Sequence, residues 1–524
     1  MATILILAHT GCCKFHIEHK RASVSPTIVA FPLDRTEGAV RMNKHKDQHN
    51  PGLAEGDELA GYRIQRIQGI SEFGFHFYEL EHLKTGARHV HLSAEDAENT
   101  FAVTFKTVPR DSTGVAHILE HTVLCGSKRY PVRDPFFSMI KRSLSTFMNA
   151  FTASDWTMYP FSTQNRKDFY NLMDVYLDAA FFPKIDRLSF KQEGHRLDFS
   201  EGTTPDQATD LVFKGVVYNE MKGAMSSADQ VMARSLLAAL FPDTTYRFNS
   251  GGDPAVIPEL NHEQLLAFHR HHYHPSNSYF YTYGNLPLRA HLEYIQDRVL
   301  QDYRRLVPET EVASQPRWGQ PRRTTVHYPL AEGEDTARKS QACVAWLTAD
   351  ICSSFDVLVM MLLEQILLGN PGSPLRKALI DSGLGSALCD SAGYDADYRD
   401  TLFVAGLKGT EAGAAESVES LVLEVLTSMS REGIDPERVE SALHQIEFHY
   451  KEVTNTPYPY GLRKMLTIVG PWIHGGDPLD KLRLDDDLAR LRRELSRNGF
   501  LENCIRREFV ENPHRVQFSL LPDV

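Results

Sequence analysis

Three residues within a five-residue stretch have side chains that can bind a metal ion or transfer a proton. They are His117, Glu120 and His121, in the run GVAHILEHTVLCGS at positions 114–127. On an α-helix, residues four apart lie on one face about one turn from each other, so both imidazoles can reach one ion. The carboxylate beside them can take a proton from water that the ion has acidified. The pattern His-x-x-Glu-His therefore predicts one zinc site per chain, with Glu120 as the general base.

Two histidines at helical spacing are also common as ordinary core or surface groups. The glutamate between Leu119 and His121 favours the metal site over this explanation. A carboxylate inside such an apolar run is costly to bury unless a metal or another charge partners it.

The other histidines and the nearby cysteine lack this combination. One group precedes Pro275 without an adjoining acid, and we interpret it as the exposed end of a helix; its members are His269, His271, His272 and His274. His89 and His91 lie two apart on a predicted strand without an obvious third ligand. Cys125 follows His121 by one turn and is interpreted as a small buried thiol.

The surrounding pattern predicts the elements that position the motif. Residues 75–94 alternate apolar and polar side chains around a Lys-Thr-Gly turn, which indicates a hairpin, and residues 101–109 form a third strand. N-cap candidates at 111–113 then open the helix that carries the motif. Further elements are a strand at 147–162, helices at 166–182 and 214–227, and a strand at 278–286. Their order predicts an α+β fold without regular βαβ units.

Length and breaks in the pattern predict two folded domains. Three prolines and little apolar periodicity mark a linker at 307–323. We therefore predict a disordered N-terminal tail at 1–55, a zinc-binding domain at 56–306 and a second, non-catalytic domain at 324–524. The second domain contains strands at 341–349 and 515–522 and a helix at 355–368. The true start, Met1 or Met42, stays open.

Composition excludes several classes of partner. The formal net charge is −12 and no long Lys and Arg block is present, which argues against nucleic acid. No apolar run is long enough to predict a membrane span. Seven cysteines without a Cys-x-x-Cys pair indicate a reducing compartment. The N-terminal segment does not have the pattern of a secretory signal, so we expect a cytoplasmic protein, with a mitochondrial or plastid matrix as the alternative.

Several longer stretches carry a family resemblance. They are HILEHTVLCGS, FMNAFTASDWTMYPF, GVVYNEMKGAMSS, SPLRKALIDSGLGS and PYGLRKMLTIVGPWIHGGDPLDKL, spread over residues 60–522. Together they resemble the inverzincin peptidases of the pitrilysin and insulinase type, most closely the presequence-protease branch and its N-terminal half.

The resemblance implies further site residues and a fold. The third zinc ligand falls on Glu220, which is 220 − 121 = 99 residues after the second histidine. Asn149 and Ala150 match the edge strand that binds the substrate backbone. The implied fold has two similar domains, each a mostly antiparallel sheet packed with helices, which form one half of a clamshell peptidase.

The resemblance implies a zinc metalloendopeptidase that hydrolyses short unstructured peptides. An Arg and a Tyr that hold substrate belong to the other half of the family's clamshell. Arg322 and Tyr328 have suitable spacing but lie in or beside the linker. The alternative is a metal-binding half-enzyme or assembly subunit that needs a partner chain, supplying the missing C-terminal half, in order to cleave.

Overall fold

The structure is a computed structural model that describes Asp47, residues 50–200 and residues 210–523. Most of the predicted tail at 1–55 and both candidate start sites lie outside these residues. None of the described helices is both long and apolar enough to cross a membrane.

The first sheet contains nine strands in the described part of the chain. Its order is β1-β2-β3-β4-β11-β5-β8-β6, and β7 also pairs with β8; β11 is parallel to β4, and the other pairs are antiparallel. A separate hairpin is formed by β9 and β10. The strands up to residue 284 are β1 (Glu58–Leu59), β2 (Tyr62–Ile70), β3 (Phe75–His82), β4 (Arg88–Ala94), β5 (Asn99–Lys106), β6 (Ser145–Met148), β7 (Phe151–Thr152), β8 (Trp156–Thr163), β9 (Arg196–Phe199), β10 (Leu211–Lys214) and β11 (Ser278–Gly284).

The strands of this sheet carry apolar side chains on both faces, and helices from the same part of the chain cover one of these faces. On β5, Val103 and Phe105 face the helical core, whereas Ala102 faces the opposite side. Side-chain caps begin three of these described helices, at Asn165, Asp186 and Asn261. The helices up to residue 298 are α1 (Val115–Val123), α2 (Pro135–Ile140), α3 (Arg166–Phe181), α4 (Arg187–Glu193), α5 (Val216–Ala224), α6 (Ala228–Leu240), α7 (His262–His272) and α8 (Leu288–Arg298).

The second sheet, described from residue 322 onward, has the order β12-β17-β13-β16-β14, with β15 also on β16. Only β12 and β17 pair in parallel among these described strands. Its strands are β12 (Arg322–Pro329), β13 (Ser340–Asp350), β14 (Ala387–Leu388), β15 (Gly393–Asp395), β16 (Asp400–Thr410) and β17 (Arg515–Asp523). Its helices are α9 (Ser354–Leu368), α10 (Pro374–Asp381), α11 (Ala415–Glu432), α12 (Pro436–Lys451), α13 (Tyr460–Ile473), α14 (Leu484–Leu495) and α15 (Phe500–Ile505), followed by a π-helix at Arg506–Val510.

The two sheets exchange helices. The apolar side of α13 packs on the outer face of the first sheet, against residues such as Phe77 and Tyr281. In return, α6 packs on the outer face of the second sheet, against Val404 and Phe518. Each sheet is thus buried on both faces, and each depends on a helix from the other part of the sequence.

The predicted α+β class, with mostly antiparallel sheets packed by helices, is confirmed. Two local predictions were wrong. Residues 147–162 form parts of three strands rather than one, because the chain turns at residues 153–155. The histidine group before Pro275 is not simply exposed: His272 is buried with Nδ1 2.9 Å from the Phe268 carbonyl, and His269 Nε2 is 2.9 Å from the Ala180 carbonyl.

The segment predicted as a linker makes hydrogen bonds to residues in both parts of the chain. The Thr310 hydroxyl donates a hydrogen bond to the Asn277 side chain, and the Gln315 backbone N–H donates one to the Asp400 carboxylate. Trp318 is also buried. The division of the chain at 307–323 stays a proposal.

Candidate metal centre

Helix α1 brings His117 and His121 to one side of the first helical layer. It begins directly after Gly114, whose φ of 70° lies in the left-handed region. Val115, Ile118 and Leu119 anchor the helix in the core. His117 and Glu120 are buried with it.

The backbone carbonyl of Gly251 fixes the tautomer of His117. His117 Nδ1 lies 2.9 Å from this oxygen. A carbonyl can only accept, so Nδ1 carries the proton and Nε2 presents its lone pair. This is the arrangement that metal-binding histidines use.

Glu193, at the end of α4, plays the same part for His121. His121 Nδ1 is 3.2 Å from Glu193 Oε2, while its buried Nε2 makes no hydrogen bond within the described chain. Burial lowers the pKa of His121, but the Glu193 hydrogen bond and the charges of Glu120, Glu193 and Glu220 outweigh it, so the pKa is raised. The pKa of Glu193 is lowered by His121, against the opposing effect of burial.

Helix α5 places Glu220 opposite the two imidazoles. Glu220 Oε2 is 3.8 Å from His117 Nε2 and 3.9 Å from His121 Nε2. One ligand atom from each of the three residues lies within 4.8 Å of the others. Tetrahedral zinc with bonds of about 2.0–2.1 Å places its ligand atoms roughly 3.3 Å apart. The two distances to Glu220 are about half an ångström longer than this spacing, so the three residues fit a zinc ion after a small closure.

The charge balance also fits a cation. Burial raises the pKa of Glu220, and the neighbouring charges of Glu120 and Glu193 raise it further against the effect of His121. Three carboxylates thus surround two imidazoles. A divalent cation would relieve the repulsion among the carboxylates.

The carboxylate of Glu120 is buried and held by one side chain. Its Oε2 accepts a 2.7 Å hydrogen bond from Thr152 on β7. Burial raises the pKa of Glu120, and this effect is opposed by His121 and by the Thr152 hydrogen bond. A carboxylate with a raised pKa is suited to take up and release a proton near neutral pH.

Asn149 and Ala150 lie between β6 and β7 at the edge of the first sheet. The Asn149 N–H donates to the Pro160 carbonyl, and the Ala150 N–H donates to the Asn149 side chain. These N–H groups are therefore engaged within the chain. The outer edge of β6 pairs with no strand of the described residues.

Arg322 and Tyr328 lie on β12 and have other contacts. The Arg322 guanidinium lies 3.9 Å from the Trp318 ring centroid, and the Tyr328 hydroxyl donates to the Lys339 carbonyl. Glu193, the Gly251 carbonyl and Thr152 also hold residues of the site and were not predicted. Nothing in the local pattern around them pointed to the motif on α1.

Comparisons with known proteins agree with the sequence resemblance. Residues 108–241 match a family described as "Insulinase (Peptidase family M16)", and residues 259–446 match "Peptidase M16 inactive domain". The chain is 43% identical over 470 residues to the mitochondrial presequence proteases of Xenopus laevis and Mus musculus, covering 89% of this chain and 45% of each relative. The chain thus spans about half the length of these relatives.

Solved structures show the same fold. A protease from Helicobacter pylori superposes with a TM-score of 0.63 at 15% identity, covering 85% of this chain and 99% of that one. At this identity the likeness concerns the fold alone.

Proposed function

The chain belongs to the M16 (insulinase) family of peptidases, and on that premise we propose that it is a zinc metalloendopeptidase for short unstructured peptides. The observation that carries the proposal is the approach of His117, His121 and Glu220 around one point, beside the buried carboxylate of Glu120. The relatives' names describe proteases, which favours an enzyme over an assembly subunit.

His117, His121 and Glu220 would hold the metal, which supplies Lewis acidity and lowers the pKa of a water molecule when bound. Glu120 accepts a proton from the attacking water and returns it to the leaving amine. The Thr152 hydroxyl holds the carboxylate in place for both steps. The peptide adds as a strand to the β6 edge beside Asn149 and Ala150. Recognition therefore depends on hydrogen bonds to the peptide backbone rather than on its side chains.

We propose that a second half, on this polypeptide or on another chain, covers the site. The relatives are about twice as long as the matched region. In the described chain, many of the exposed large apolar side chains lie between Val132 and Val216, around the helices that carry the site. Among them is an exposed hairpin face, defined by Leu197, Phe199, Leu211 and Phe213, which share one side of β9 and β10. Such a patch is typical of an interface.

For the compartment we propose an organelle matrix, the alternative above, rather than the cytoplasm. The reason is that both relatives are named as mitochondrial. Import of the full-length chain into isolated mitochondria and chloroplasts would test this, and a chain that enters neither would contradict it.

The central experiment separates metal binding from hydrolysis. The purified chain should bind about one zinc ion, and His117→Ala or His121→Ala should abolish this binding. Glu120→Gln should keep the zinc but lose peptide hydrolysis, because an amide cannot accept the proton. His269→Ala, which changes a histidine bonded to a distant carbonyl, is the matched control. Near-stoichiometric zinc in either ligand variant would refute the assignment.

A further inference from the structure

A buried cluster, formed by Asp155, Tyr246 and His474, joins the first part of the chain to the second by hydrogen bonds. Asp155 Oδ2 accepts a 2.6 Å hydrogen bond from the Tyr246 hydroxyl and lies 3.0 Å from His474 Nε2. The Arg399 N–H donates to the same hydroxyl at 2.8 Å. All three side chains that meet here are buried. His474 ends α13, and Arg399 directly precedes β16, so both come from the second part of the chain.

One series of contacts connects this cluster to Glu120. Asp155 lies in the turn between β7 and β8, which is closed by a hydrogen bond from the Ala153 N–H to the Trp156 carbonyl. The Asp155 carbonyl accepts from the Thr107 N–H. Thr152, three residues before Asp155, donates to the Glu120 carboxylate. The position of Asp155 therefore constrains the hydroxyl that holds the candidate base.

A second series of contacts connects the cluster to His117. Tyr246 lies five residues before Gly251, whose carbonyl holds His117 Nδ1. The intervening loop has little freedom, because the Asn249 N–H donates to the Ser112 hydroxyl and the Asp253 N–H to the Ser112 carbonyl. A Cβ added at Gly251 would lie 3.1 Å from the Met221 side chain on α5. Tyr246 and the Gly251 carbonyl are therefore the two ends of one short, tightly held loop.

We propose that Asp155, Tyr246 and His474 are positioning residues, through which the second part of the chain holds Glu120 and His117 in place. The proposal rests on the proposed function, because it takes these two residues to act at a zinc ion. None of the three contacts the candidate ligands in the described hydrogen bonds. The second part of the chain thus contributes to the site through His474 without supplying a ligand.

The test compares two deletions of a single buried hydroxyl. Tyr246→Phe removes the bond to Asp155. Tyr281→Phe is the matched control, because this buried hydroxyl donates at 2.8 Å to the Gly461 carbonyl, at the opposite end of α13 from His474. The readouts are zinc affinity, by competition with a chromogenic chelator, and the visible spectrum of the Co²⁺-substituted protein. We expect Tyr246→Phe to weaken zinc binding roughly 2- to 30-fold and to alter the spectrum. Tyr281→Phe should leave both unchanged.

Variants at position 474 give a second test. His474→Ala leaves the Asp155 carboxylate without its imidazole partner and should weaken zinc binding in the same way. His474→Gln retains an N–H donor and should restore part of the affinity. If His474→Ala does not fold, the Tyr246→Phe comparison decides. A parent chain that binds no zinc overturns the proposed function. A parent that binds zinc, with a folded Tyr246→Phe that matches it in affinity and spectrum, overturns this inference alone.

Discussion

At the scale of single residues, Thr152 is one of the groups that adjust the proton affinity of the candidate base. Its hydrogen bond lowers the pKa of Glu120, which burial raises. Thr152→Val should raise this pKa further, and the acid limb of kcat/KM should move to higher pH because Glu120 must lose its proton before it acts. The measurement is a pH–rate profile on an unstructured peptide, with the second half present.

Thr157→Val is the control for this change. The buried hydroxyl of Thr157 lies 2.8 Å from the Thr107 hydroxyl, whereas that of Thr152 contacts a carboxylate. The acid limb of Thr157→Val should match that of the parent. An acid limb in Thr152→Val that stays in place or moves to lower pH would contradict the prediction.

Glu193 controls how protons compete with the metal at His121. Zinc binds the neutral imidazole, so the raised pKa of His121 makes binding weaken at a higher pH than for an ordinary histidine. Glu193→Gln removes the charge that raises this pKa and leaves a weaker, neutral hydrogen-bond acceptor. The midpoint of zinc binding against pH should therefore move to lower pH.

The same variant should also bind zinc more weakly at high pH, by about 10- to 100-fold, because the imidazole is held less firmly. Zinc titrations over a series of pH values measure both effects. A midpoint that moves to higher pH would show that Glu193 does not act through His121.

At the scale of elements, the start of α1 has no room for a side chain. A Cβ at Gly114 would lie 2.8 Å from both the Gly251 oxygen and the Gly252 Cα, and its φ is 70°. Gly74 has a φ of 68° with nothing within 4 Å of the added Cβ, so it isolates the backbone cost. We expect Gly74→Ala to lower the free energy of unfolding by about 1–2 kcal/mol. Gly114→Ala should cost about 1–3 kcal/mol more and weaken zinc binding.

Urea unfolding of the two variants, followed by zinc titration, measures this difference. Equal losses of unfolding free energy would mean that α1 shifts without resistance. Zinc affinity in Gly74→Ala should stay at the parent value, because this glycine lies in the turn between β2 and β3.

The helices and strands around the motif could be predicted from the sequence, but the residues and strands that they contact far along the chain could not. Helix α1 and its histidine pair follow from local spacing, and so does the β3–β4 hairpin. The bonds from His121 to Glu193 and from His117 to Gly251 cross 72 and 134 residues, so no local period encodes them. The insertion of β11 between β4 and β5 was missed for the same reason: a strand that is apolar on both faces does not specify its neighbours.

At the scale of the whole molecule, we expect this chain alone to cleave peptides weakly. Loss of one donor that stabilises the developing oxyanion typically costs about 10²–10³ in rate, and without the proposed second half a bound peptide would stay in contact with water. Adding a separately expressed second half from a related full-length enzyme should raise the rate. Efficient cleavage by the isolated chain, unchanged by this addition, would show that residues 1–524 suffice.

The exposed hairpin face gives this prediction a structural control. Phe199→Asp places a charge on the apolar side of β9 and should reduce the stimulation by the second half, while zinc content stays that of the parent. Phe448→Asp alters a similarly exposed phenylalanine on α12 and should leave the stimulation intact. Equal stimulation of both variants would exclude the hairpin face as the contact.

The exchange of α6 and α13 also has a consequence during synthesis on the ribosome. The first sheet is complete in sequence at residue 284, but its outer face is covered only once α13, ending at Ile473, has emerged. At about 5–20 residues per second, the apolar face that includes Phe77 and Tyr281 waits roughly 10–40 s for its cover. Ribosome-bound chains stalled before residue 460 should therefore recruit a chaperone that binds apolar surface. Chains stalled well beyond residue 473 should release it, and equal binding at both lengths would show that the face is protected by other means.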